Sequence, residues 1–241
     1  MLVCLLALAS TVHAREKLYI FTEHYPPYNS STTGQGFAHQ AEDISGLCAE
    51  MVKAMMARTD LEYVMKMRAW SLGYDRVQRQ PNHALFCTGR TEEREDRFEW
   101  VGPLASIQWT LFAAPESEIT LASLEDARDY SIAGYKGDIM SEYLVSQGYE
   151  VVMGMNGEMN PRRLMLGQVD LWVTDGLNGP LIAEQKQGVS GLRPVLVFRE
   201  TPMYLAVNKD TDPAVVAELH AALAAAQQTG EWQQILARYG Q

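Results

Sequence analysis

Apolar and polar positions along this chain alternate between strand-like and helix-like runs almost throughout. Lys17-Leu18-Tyr19-Ile20-Phe21 predicts a buried first strand, followed by a polar loop over 29–36, and residues 61–67 alternate with the period of two expected of a half-buried strand. Between them, Leu47, Met51, Ala54 and Met55 recur at helical spacing within 44–58. Residues 70–79 predict a helix, 83–88 a short buried strand, and 100–114 two extended runs joined near Pro103. The second half repeats the style. Residues 130–134 predict a strand, 138–147 a helix closed by Gly148, and 169–174 another strand. Asn160-Pro161 is read as an N-cap followed by the first helical residue. Residues 194–198 and 203–208 predict two further strands, Asp212-Pro213 opens an Ala-rich helix, and 231–239 forms the last helix. Such alternation predicts an α/β protein with mostly parallel sheets flanked by helices.

Composition bounds what this pattern can serve. The 241 residues are 47% hydrophobic and 21% charged, which is ordinary for a globular chain able to bury one large core or two lobes. A formal net charge of -10, with no Lys/Arg cluster, argues against a nucleic-acid partner, because phosphate neutralisation needs a basic face. The apolar run at residues 2–9 is too short to span a bilayer and ends in Val12-His13-Ala14, small residues at the positions signal peptidase accepts. Residues 1–14 are therefore expected to be a signal peptide and the mature chain a periplasmic protein.

Export changes how the cysteines read. Cys48 and Cys87 are compatible with one disulfide or with two small buried thiols, and the sequence leaves both open. His24, His39, His83 and His220 are scattered without metal-ligand spacing, and Met153, Met155 and Met159 read as packing and loop residues. No metal and no cofactor is expected.

Three short constellations carry candidate chemistry. Thr88-Gly89-Arg90-Thr91-Glu92-Glu93-Arg94 follows a predicted buried strand, at the end where open α/β sheets hold ligands. The planar fork of Arg94 would suit a carboxylate; the alternative is a solvated run of mixed charge. Asp175 ends the strand at 169–174, where an acceptor-only carboxylate would suit an ammonium group or simply cap a turn. Tyr25-Pro26-Pro27-Tyr28 and Trp70 follow strands and would present rings to an apolar or cationic ligand.

Taken in order, these segments resemble the extracellular solute-binding proteins of family 3, the amino-acid-type periplasmic binding proteins of ABC transporters. The likeness runs from Phe21-Thr22-Glu23-His24-Tyr25-Pro26-Pro27-Tyr28 through Thr91–Arg94, Ser123-Leu124-Glu125-Asp126-Ala127 and Leu166-Gly167-Gln168-Val169-Asp170 to the C-terminal helix. It implies the type II periplasmic-binding-protein fold, in which two crossing hinge strands join two α/β lobes. Lobe one would comprise residues 15–106 plus 205–241, and lobe two 107–204. It also implies a ligand carboxylate on Arg94, an α-ammonium on Asp175, rings at Tyr25 and Trp70, and contacts from Cys87, Thr88 and Gly89. Two departures stand out. Cys87 and Gly89 occupy positions where many members have Ser, and Gly137-Asp138-Ile139 replaces the usual Gly-Thr-Thr. Asp138 is either a helix N-cap or a carboxylate in the cleft that would repel an α-carboxylate or compete for Arg94, which admits a cationic or a differently shaped polar solute.

The resulting expectation is a non-enzymatic monomer that captures a small polar solute, an amino acid or a related compound, and presents it to an ABC permease or a sensor domain. The competing class is a cyclohexadienyl dehydratase-like enzyme on the same scaffold. It would need a cleft carboxyl of raised pKa as general acid, for which Glu23 and Asp138 are the candidates.

Overall fold

The computed structural model describes residues 17–239, so the expected signal peptide at 1–14 lies outside the described residues. In chain order the elements are β1 (Leu18–Thr22), β2 (Ser30–Ser31), β3 (Ile44–Ser45), α1 (Leu47–Met56), β4 (Tyr63–Met67), α2 (Trp70–Arg79), β5 (His83–Gly89), α3 (Glu92–Glu95) and β6 (Phe98–Ala113). They continue as β7 (Ile132–Tyr135), α4 (Ile139–Ser146), β8 (Val151–Gly154), α5 (Asn160–Met165), β9 (Leu171–Asp175), α6 (Asn178–Gln187), β10 (Arg193–Asn208), α7 (Pro213–Gln227) and α8 (Gly230–Arg238).

Eight strands form one sheet in the order β4-β1-β5-β10-β6-β9-β7-β8. Pairing is parallel within each flank, β1 with β4 and β5 on one side and β7 with β8 and β9 on the other. Every position of β5 and of β9 is buried, as expected for strands covered by helices on both faces. The central pair, β6 and β10, is antiparallel and shared by both flanks, each strand running 16 residues. Here the sequence reading needs correcting: the two runs expected within 100–114 are one strand, Phe98–Ala113, and those at 194–198 and 203–208 are one strand, Arg193–Asn208. Proline lacks the N–H a ladder needs, so Pro103 read as a break. A register shift between Met203 and Leu205 absorbs it, because Met203 faces Ala105 while Leu205 already faces Val101.

Helix ends follow local chemistry. The Asp138 side chain accepts from Ser141 N and caps α4, and that of Asp212 accepts from Ala214 N and caps α7. Asn160 departs from its expected role. Met159 is the N-cap of α5, and Asn160 is buried as its first residue, donating Nδ2–H to the Gly134 carbonyl at 3.2 Å.

Gly46, at φ +110°, starts α1 beneath the Tyr25–Tyr28 segment, and a Cβ there would lie 2.5 Å from the Tyr28 carbonyl oxygen. Gly46→Ala is expected to cost about 2 kcal/mol, since both the backbone conformation and the close approach forbid a side chain. An unchanged urea midpoint would contradict this.

Candidate functional site

The sequence left the state of the two cysteines open; they are bonded, Cys48 in α1 to Cys87 in β5, with Cα atoms 6.0 Å apart. The reason lies in β5. Thr88 pairs with Tyr204 and Phe86 with Leu205, so Cys87 is an extra, bulged residue, with φ 46°. A bulge of this kind re-aims a side chain. Here it coincides with the tie between the strand end and α1.

Beyond that strand end, α3 carries Arg94, which is only 4% exposed. Its guanidinium lies 5.2 Å from the Tyr74 ring centroid and 5.8 Å from that of Trp70. It donates Nη2–H to the Gly137 carbonyl at 3.1 Å and lies 3.5 Å from Glu142 Oε2. Trp70 Nε1–H donates to the same Gly137 carbonyl at 3.0 Å. Two further bonds join the flanks: Asn178 Nδ2–H to the Pro26 carbonyl at 2.7 Å, and the Tyr28 hydroxyl to Asp175 Oδ2 at 3.4 Å.

Between these contacts lie two adjoining cavities. The larger, about 340 Å³, has Glu23, Tyr25 and Trp70 on one side and Tyr135, Trp172 and Asn178 on the other. The smaller, about 30 Å³, shares Glu23, Tyr25, Trp70 and Tyr135 and adds Cys87, Gly89, Arg94 and Asp138. Thus six of the eight residues singled out from sequence meet at these walls. Thr88 and Asp175 line neither cavity. Thr88, fully buried, spends its hydroxyl on the Leu85 carbonyl at 2.9 Å. Asp175 is 1% exposed, and its carboxylate accepts from Gln108 N, Leu177 N, Asn178 N and the Tyr28 hydroxyl. It joins a helix start to the central strands, with no oxygen left for an ammonium group.

Asp138 combines both roles considered for it. Its Oδ2 accepts from Ser141 N at 2.8 Å and from the Ser141 hydroxyl at 2.6 Å, and the residue also lines the smaller cavity. Burial raises its pKa against those bonds. Glu23 is half-buried on the wall common to both cavities and accepts from the Tyr135 hydroxyl at 3.5 Å. Burial first and the Asp138 charge second push its carboxyl up to about 8. Tyr135 and Trp172 escaped the sequence reading because a ring in a buried strand looks like core, and Asn178 because no apolar stripe marks the helix it begins.

Among the described residues, four buried polar side-chain atoms have no hydrogen-bond partner. Three of them, His24 Nδ1, Tyr25 OH and Asn29 Oδ1, belong to residues lining these two cavities. Buried groups of this type are paired in native proteins as a rule, so a cluster of orphans marks a wall built to meet something polar.

The sequence model of the bacterial extracellular solute-binding proteins, family 3, matches residues 18–241. No curated protein matches the chain significantly. Among solved structures, a histidine kinase sensor domain with similarity to periplasmic binding proteins superposes with a TM-score of 0.80 at 23% identity, covering 92% of this chain and 95% of its own. An ancestral arginine-binding protein bound to arginine gives 0.77 at 20% identity, covering 94% and 99%. An ancestral amino-acid-binding protein, a precursor of cyclohexadienyl dehydratase, gives 0.72 at 18% identity, covering 93% and 95%. At such identities the likeness speaks for the fold.

Proposed function

The chain belongs to the bacterial extracellular solute-binding proteins, family 3, and from that premise we propose that it captures a small polar solute between two lobes. In this reading it is an exported, monomeric, non-enzymatic protein of the periplasm that serves an ABC permease or a sensor domain. The lobes are residues 15–106 with 205–241, and 107–204, and they turn about β6 and β10. The register shift between Met203 and Leu205, at that boundary, supports a hinge there. Among the described residues no helix is long and apolar enough to cross a membrane.

The observation that carries the reading is the set of unpartnered polar atoms on His24, Tyr25 and Asn29 at the walls between the flanks. The solute's polar groups would complete them, and only the closed arrangement offers both sides at once. Ligand binding then shifts the open–closed balance by its difference in affinity for the two states. The solute carries a cationic group. Four rings, Tyr25, Trp70, Tyr135 and Trp172, surround the larger cavity beside Glu23, which suits a guanidinium or ammonium far better than a second anion. Arg94 and Lys136 remain for an anionic end.

A thermal-shift screen of arginine, other amino acids, polyamines, organic acids and sugars tests this. A ligand at 100 times its dissociation constant adds about 2.7 kcal/mol to the folded state. Trp70→Ala should weaken that ligand about tenfold, through loss of the ring and of its bond to Gly137. If no compound stabilises the protein, or if the ligand found is indifferent to Trp70→Ala and Tyr25→Phe, the reading fails.

One observation favours the dehydratase-like alternative: a Glu23 carboxyl titrating near 8 would be protonated at neutral pH, as a general acid must be. Product absorbance with a prephenate-like substrate, abolished by Glu23→Gln, would decide for the enzyme.

A further inference from the structure

A third cavity, of about 230 Å³, adjoins the smaller cleft cavity, with which it shares Arg94 and Ile139. Its walls come from both sides of the hinge: Thr91, Glu93 and Arg97 in and beside α3, Ile139, Glu142 and Tyr143 on α4, and Trp109 and Arg199 on the two central strands.

The charges in this wall do not cancel. Glu142 faces Arg94 at 3.5 Å, and the Glu93 carboxyl is held below its usual range by its own backbone N–H and the Thr91 hydroxyl. Three guanidiniums, Arg94, Arg97 and Arg199, stand against these two carboxylates, which leaves one positive charge in excess; the charge of Arg199 helps hold Glu93 low, but neither Arg97 nor Arg199 has an ion pair among the described residues. The guanidinium of Arg199 is nonetheless held in place. It lies 4.8 Å from the Trp109 ring centroid and 5.1 Å from that of Tyr143. Two aromatic faces orient a cation without neutralising it, so its fork stays available to an acceptor. The remaining unpartnered polar atom of the described residues belongs to the same wall: Nε1–H of Trp109, a residue with no exposure at all. That indole N–H lies behind the wall, out of reach of solvent, and Arg97 makes one long bond, to the Tyr74 hydroxyl at 3.5 Å, so the donors facing the cavity are the two guanidiniums of Arg97 and Arg199.

The geometry points to a second ligand site, beside the solute cleft, for a small organic anion whose carboxylate or phosphate head is taken by Arg199 and Arg97. Ile139 and the ring of Tyr143 provide the apolar wall for its body. Because both flanks of the hinge contribute, an anion held here also ties the flanks together, and by reciprocity it tightens the cleft's own ligand.

Calorimetric titration of the purified protein at low ionic strength tests the site, with inorganic phosphate in one arm and succinate in the other. Saturable binding of at least one anion is expected, weakened about tenfold or more by Arg199→Gln, since a charge-assisted fork is lost. Arg199 is exposed, so that variant should fold; Arg97→Gln should act in the same direction, and Tyr25→Phe, in the cleft, should leave the affinity unchanged. The tighter arm identifies the head group. Absence of saturable binding in both arms, affinity unmoved by Arg199→Gln, or affinity lowered by Tyr25→Phe would each overturn the site.

Discussion

Replacing Cys48 and Cys87 together with alanine lowers the unfolding free energy by about 3–4 kcal/mol, a large share of what a domain of this kind possesses. The bond closes a loop spanning 39 positions that includes β4, α2 and most of β5. Without it the unfolded chain regains the freedom of that whole loop, while the folded chain loses little contact, because alanine still fills part of a site that is nearly fully buried. The consequence is also local. Cys87 sits at the bulge that ends β5, seven residues before Arg94, so releasing it loosens the segment that aims the arginine. Urea unfolding of the oxidised protein, the reduced protein and the double variant checks the effect. Reduced protein and variant should coincide at a clearly lower midpoint than the oxidised form. If all three unfold together, the bond contributes nothing.

The strands and helices were legible wherever one physical signal dominated. Helix α2 begins and ends at Trp70 and Arg79 as read, and β1, β4, β5, β7 and β9 lie within a residue or two of their apolar runs. The long central strands were divided because a proline in a strand normally ends it, and the register shift that accommodates Pro103 is a property of the partner strand. Helix α6 was missed for a different reason: its buried residues, Asn178, Gly179, Ile182 and Ala183, are half polar or small, so no apolar stripe marks it.

The candidate site divides the same way. Residues at strand ends and in the first loop, Tyr25, Trp70, Arg94 and Asp138, were found because position in an α/β sheet limits where ligands go. Asp175 and Thr88 occupy similar sequence positions, yet their polar atoms turn inward to backbone partners, which only the register and the loop conformation decide. The disulfide needed a bulge that no pattern of residue types announces. Glu23 was read only as a candidate general acid, and its raised pKa arises first from burial and then from Asp138, which is 115 positions away in sequence.

That pair makes a pH dependence with a definite sign. In the lobe closure proposed above, with this structure taken as its closed arrangement, a carboxyl that titrates at 4.5 in the unfolded or open protein and near 8 in the closed one is protonated in both states below 4.5, where it contributes no difference. As pH rises above 4.5 the open and unfolded forms release the proton and the closed form does not. Closed-state stability is therefore lost steadily through the interval and levels off beyond about 8. At about 1.4 kcal/mol per pH unit the ceiling is near 5 kcal/mol. Glu23 is only half-buried and water can reach an opening cleft, so about 2–3 kcal/mol is the effect expected. Glu23→Gln removes the ionisable proton and keeps the shape. Wild type and variant should have the same thermal midpoint near pH 4.5, and the variant should become progressively the more stable up to pH 8. His24, on the same wall, works in the opposite direction: burial lowers its pKa below 6.5, so it costs stability only on the acid side and does so equally in both proteins. Small-angle scattering should show wild type expanding above pH 8 while Glu23→Gln stays closed, because opening the cleft is the least costly way to hydrate the ionised pair. Stability curves that run parallel from pH 4.5 to 8 would mean that Glu23 is ionised in the closed form. A cationic solute would produce that ionised state by design: it stabilises the carboxylate, expels the proton, and makes the binding enthalpy at neutral pH depend on the ionisation enthalpy of the buffer.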